Sequence, residues 1–142
     1  MKSINIINNP VVLVTVFCLI LISGEHWGGF YLLYILLGLP HGALHSIAAV
    51  AGIAILLFSN YKYKRSFTHL SEPLINITAV VLLALSLFLF FYTDSNQYNH
   101  PTFHETIPLI ILALFTLLAV SFFIINLMKL SSVMFHKSAL PE

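Results

Sequence analysis

Four long apolar stretches, each nearly free of charge, decide what this chain can become. They lie at about 8–23, 30–59, 73–92 and 107–128. A helix needs about 20 mostly apolar residues to cross a bilayer. The last three stretches reach that length, and the first does so by borrowing from Ile4–Ile7. Hydrophobic residues make up 59% of the chain and charged residues 8%, against roughly 25% charged in a soluble domain. A chain of this length cannot hide so much apolar surface within itself. That excludes a soluble enzyme, a nucleic-acid-binding module and a disordered tail. The expected fold class is all-α: an integral membrane bundle of about four transmembrane helices, forming a single polytopic domain over 1–142.

Local signals mark where these helices start. Ser71-Glu72-Pro73 offers a cap, an acid at the positive helix end and a proline in the first turn. Thr106-Ile107-Pro108 repeats that logic. The first stretch follows Lys2 and has some features of a signal peptide, but Leu21 and Ile22 are too large for a cleavage site, which favours a retained helix. Four spans place Lys2, Lys62, Lys64, Arg65, Lys129 and Lys137 on one side, and that is every basic residue of the chain. The other side receives Glu25, Asp94 and Glu105. Basic residues stay cytoplasmic, so the orientation expected is N-in and C-in.

The second stretch is too long for one span. Phe30–Ser59 as a single helix would measure about 45 Å, against a hydrocarbon core of about 30 Å. Pro40 lacks an N–H and clashes with the carbonyl four residues back, so the second helix should break or kink there. Residues 30–39 then form a short oblique helix, with Trp27, Tyr31 and Tyr34 in an interfacial aromatic belt. Gly38, Gly42 and Ser46 recur every four residues, a spacing that lets helix backbones approach closely. They are the expected contact for a homo-oligomer or a larger membrane complex, beside the lipid bilayer itself. No nucleic-acid partner is expected. Asn76 and Asn126 are expected to bond between helices.

Seven histidines outnumber either sign of charge. His41 and His45 interrupt an apolar run, where ionisable groups are costly and default to functional candidates. Their spacing puts them on one face of a continuous helix, and two imidazoles so placed can share a metal. His100 and His104 repeat the spacing. The candidate metal ligands are therefore His41, His45, His100 and His104, with His26 and Glu105 as additional members. His69 and His136 fall among lysines and read as solvated. A lone cysteine, Cys18, excludes a disulfide or a cysteine cage within the chain. The donor set is nitrogen and oxygen, which points to iron or zinc. Facing histidines on two helices could also hold haem.

Gly38-Leu39-Pro40-His41-Gly42-Ala43-Leu44-His45 resembles the G-[LI]-P-H-G-A-x-D segment of the Brp/Blh family, bacterial membrane proteins that cleave β-carotene to retinal. The resemblance implies that His41 matches a proposed ligand of the family's catalytic iron. His45 stands where the family has aspartate, and the family's later histidine motifs, of the HFG and WHxxxH kind, have no counterpart here. The leading functional expectation is an accessory protein of the bacterial inner membrane, with a histidine-based metal or cofactor site near the outer face. One alternative is a diminished carotenoid oxygenase using iron at His41. The other is a structural subunit packing through Gly38, Gly42 and Ser46.

Overall fold

The computed structural model describes residues 7–25, 28–63, 71–94 and 97–138, with the side chains at 63 and 135–138 left aside. Helix α1 covers Pro10–Cys18; the Asn9 side chain caps it by accepting from the Val11 amide at 2.9 Å. The expected helix to residue 23 is not formed. The chain leaves the helix at Leu19 and enters strand β1, Leu21–Ile22, which pairs antiparallel with β2, Gly29–Phe30. Ile20 and Ile22 are β-branched and favour extended backbone. The Tyr31 amide donates to the Ile20 carbonyl at 2.7 Å and ties the two strands' flanks together. Nine residues rise only about 14 Å, so α1 does not by itself cross a bilayer.

Helix α2 spans Tyr31–Gly38 and is followed by a 3-10 turn, Leu39–His41. Helix α3 then runs over Leu44–Tyr63. The break therefore falls at Pro40. Gly42 closes the turn at φ +68°, and a Cβ there would meet nothing within 4 Å. Its requirement is conformational, since the left-handed region penalises any other residue. Both ends of α2 meet the first turn of α3: the Tyr31 ring lies 6.5 Å from the His45 ring, and Gly38 faces His45 and Ser46. So α2 crosses the end of α3 rather than extending it.

Helix α4, Ser71–Tyr92, and helix α5, Thr106–Ser138, begin at the two capping sequences. Helix α5 continues about ten residues past the end expected at 128. Lys129 ends the apolar run, but nothing in Leu130–Ser138 breaks a helix, and the next proline is Pro141. Among the described residues three helices are long and apolar enough to cross a membrane: Leu44–Lys62, Ser71–Tyr92 and Thr106–Met134. The fourth expected span is not among them.

Helices α3 and α4 pack antiparallel. The Ser86 hydroxyl donates to the His45 carbonyl at 2.7 Å, and further along Gly52 lies against Leu83 and the Ala79 carbonyl. Helices α4 and α5 are also antiparallel, joined near one end by Glu72–Lys129 at 3.9 Å and Asn76–Asn126 at 3.0 Å. Lys62 and Lys129 mark this basic end; Glu25, Asp94 and Glu105 mark the opposite, acidic end. Polar Ser46, Ser59, Asn76, Ser86, Thr102 and Asn126 are buried, while large apolar residues such as Leu37, Phe88, Leu117 and Met128 are exposed. Apolar outside and polar inside is an arrangement consistent with a membrane protein.

The asparagine pair fulfils the expectation of an interhelical bond. Asn76 Nδ2 donates to Asn126 Oδ1, and Asn126 Nδ2 donates to the Phe122 carbonyl at 2.8 Å. Asn126→Leu leaves the Asn76 amide buried without a partner, so we expect a loss of about 1–2 kcal/mol. Replacing both by leucine should recover most of that loss. Thermal unfolding of the three variants in detergent checks the prediction, and equal stability of single and double variants would refute it.

Candidate functional site

A cavity opens between α4 and α5. The asparagine pair closes one end of the interval between the helices, and one turn further along Val80 and Phe123 begin a groove. It continues to Tyr92 and His100 and holds about 720 Å³, within the range of small-molecule sites. The walls are almost wholly apolar, with Leu87, Phe91, Leu112 and Phe115 along the sides and Ala84 and Ala119 where it needs width. Thr116 also lines it, but its hydroxyl is spent on the Leu112 carbonyl at 2.8 Å. Val81, Phe88, Tyr92 and Val120 are exposed at the lip, so the groove opens on the apolar outer surface of the bundle.

A 3-10 turn, His100–Phe103, closes the acidic end. Pro101 sits in its first positions, as expected from its fixed φ. The Phe103 ring packs at 4.6 Å on Phe91, and His100 meets Phe103 edge to face at 5.9 Å. Three sets of bonds hold the turn in place. The Asp94 carboxylate accepts from the amides of Tyr98 at 3.2 Å and Asn99 at 2.7 Å. The buried Thr102 hydroxyl donates to the Ser23 carbonyl and accepts from the Ser23 amide, at 3.1 and 2.9 Å. The Glu25 amide donates to the Tyr98 carbonyl at 2.9 Å. The segment after α1 thus braces the roof of the groove.

The candidate histidines lie in different settings. His41 lies exposed on the turn, its Nδ1 3.0 Å from the Leu37 carbonyl. His45 points into the bundle between Tyr31 and Phe90. A shared helical face was expected for this pair, but the helix is interrupted between them at Gly42, so the four-residue spacing does not align them. His100 lines the groove, and His104 and Glu105 are exposed beyond it. His26, Trp27 and His69 lie outside the described residues, as does the side chain of His136. Among the described residues no three His, Cys, Asp or Glu side chains come together as a metal-binding group.

His45 has a different setting from the one its spacing suggests. Its Nε2 and the Ser46 Oγ are buried without hydrogen-bond partners among the described residues, and both lie against Gly38. Gly38 and Ser46 therefore meet within the chain, across the break. Gly38 is where it is because side chains of α3 leave no room for a Cβ, and Pro40 and Gly42 for backbone reasons. Tyr31, expected at an interface, is instead wholly buried. The groove residues escaped sequence reasoning because apolar residues on a lipid-facing helix carry no mark of their own; the small residues Ala84 and Ala119 were the available signal. No known protein family, curated protein or solved structure matches the chain.

Proposed function

We propose that this is a membrane-embedded binding protein for an elongated apolar molecule, held lengthwise between α4 and α5 under the His100 turn. The observation that carries this reading is the groove of about 720 Å³, apolar-walled and roofed at one end. Its length from Val80 to Tyr92 is about 18 Å along the helix, roughly half to two-thirds of a hydrocarbon core of about 30 Å. A partner helix crossing the whole membrane would collide with the Phe103 and His100 roof, whereas a single chain entering sideways from lipid fits beneath it. An almost wholly apolar lining with its few polar groups at one end offers binding and orientation, which suits a carrier or an accessory protein. In this reading the basic end faces the cytoplasm and the roofed end lies toward the outer leaflet.

The test is photolabelling in nanodiscs with a long-chain alcohol carrying a diazirine within its chain. Label should map to groove residues such as Leu87 and Leu112, and excess unlabelled alcohol should remove it. Ala84 is an exposed position on the groove wall, so Ala84→Trp should fill the groove without disturbing the core. We expect it to lower competable labelling by about tenfold, equivalent to about 1.4 kcal/mol of binding. Labelling spread evenly over lipid-facing residues, and indifferent to both competitor and variant, would overturn the proposal.

A further inference from the structure

We infer that the groove's ligand ends in a neutral hydrogen-bonding group, a hydroxyl or a carbonyl, placed against His100; this rests on the groove being a ligand site. At the tail end Asn76 and Asn126 bond to each other and neither lines the groove; Asn76 Oδ1 is buried without a partner there. At the other end the half-exposed His100 lines the cavity, and among the described residues its ring nitrogens make no hydrogen bond. A neutral imidazole carries one donor and one acceptor, so it can serve a hydroxyl in either sense or donate to a carbonyl. Phe103 meets the ring edge to face, and Tyr92 lines the same end, so hydrogen-bonding groups gather at this end of an otherwise almost wholly apolar channel.

Charge decides against an acidic headgroup. The segments at this end, 24–29 and 93–106, contain Glu25, Asp94 and Glu105 and neither lysine nor arginine. The Asp94 carboxylate is engaged with the Tyr98 and Asn99 amides beside the roof. A carboxylate or phosphate entering here would find no lysine or arginine in these segments to pair with, and an unpaired charge drawn out of water is strongly disfavoured. A hydroxyl or carbonyl carries no such penalty and finds its partner in His100.

The experiment competes four unlabelled molecules of one chain length against the diazirine alcohol on the full chain in nanodiscs: the alcohol, the carboxylic acid, the phosphate monoester and the parent hydrocarbon. We expect the alcohol to compete best and the two anions at least about tenfold more weakly. His100→Phe keeps the ring packing on Phe103 and removes the polar atoms. It should weaken the alcohol about three- to tenfold, the range of one neutral hydrogen bond, and leave the hydrocarbon unchanged. Anions competing as well as the alcohol, or an alcohol preference that survives His100→Phe, would overturn the headgroup assignment while leaving the groove intact. Failure of every competitor on the unaltered chain would remove the groove reading and this inference together.

Discussion

Tyr31→Ala should destabilise the protein by about 3 kcal/mol, a loss at the lower end of the range for large-to-alanine changes in cores. The side chain is wholly buried where α1, α2, α3 and α4 converge. Its ring stands edge-on to Phe17 at 5.4 Å and to Phe90 at 5.1 Å. Its hydroxyl lies 2.8 Å from Ser86 Oγ, which in turn donates to the His45 carbonyl. Removing the ring opens a cavity between four elements and leaves the Ser86 hydroxyl with one bond fewer. In lipid the water-transfer contribution shrinks, because the surroundings are as apolar as the core, but the lost packing remains. That is why the low end of the range applies. Tyr31→Phe keeps the ring and should cost only about 1 kcal/mol, the value of one hydrogen bond. Thermal unfolding in detergent measures both. Similar losses for the two variants would show that the hydroxyl, not the ring, holds the junction.

The features legible in the sequence were those with a local cause. Pro40 breaks its helix by its own covalent structure, so the break is where a helix too long for a bilayer requires one. Asn76 and Asn126 are polar groups in apolar runs, and the Asn76 amide bonds to the Asn126 carbonyl oxygen between their helices. Ser71-Glu72-Pro73 and Thr106-Ile107-Pro108 start helices because caps act within one turn. What was not legible depended on distant partners. The end of α1 at Leu19 is fixed by pairing with Gly29–Phe30, and hydropathy cannot separate that hairpin from a helix. Spacing placed His41 and His45 together only on the assumption of an unbroken helix, which Pro40 and Gly42 remove. The groove is a relation between two helix faces and a roof braced by Ser23 and Thr102. None of those residues differs in type from its lipid-facing neighbours or from ordinary loop residues.

Gly38 gives the other large effect, and its sign depends on two opposed contributions. Glycine costs a helix about 1 kcal/mol relative to alanine, so Gly38→Ala should stabilise α2 if space allowed it. Space does not allow it: the new Cβ would overlap Ser46 Oγ and sit 3.1 Å from both His45 Nε2 and Ala43 Cβ. Ser46 is wholly buried in α3 and cannot swing into solvent. Overpacking of this kind costs about 1–3 kcal/mol, and with three neighbours to displace the upper part of that range applies, so the net result is a loss of about 1–2 kcal/mol. The remedy identifies the cause. Ser46→Ala removes the overlapping oxygen, which has no hydrogen-bond partner among the described residues, and should be near neutral alone, since an unpaired buried hydroxyl contributes little. Combined with Gly38→Ala it should restore stability to within about 0.5 kcal/mol of the unaltered chain, a coupling expected only of residues in contact. Gly42→Ala provides the contrast. Its cost, about 1–2 kcal/mol, comes from left-handed backbone rather than from a neighbour, so Ser46→Ala should leave it unchanged. Rescue of Gly42→Ala, or failure to rescue Gly38→Ala, would mean that the turn is held by something other than the contact between Gly38 and Ser46.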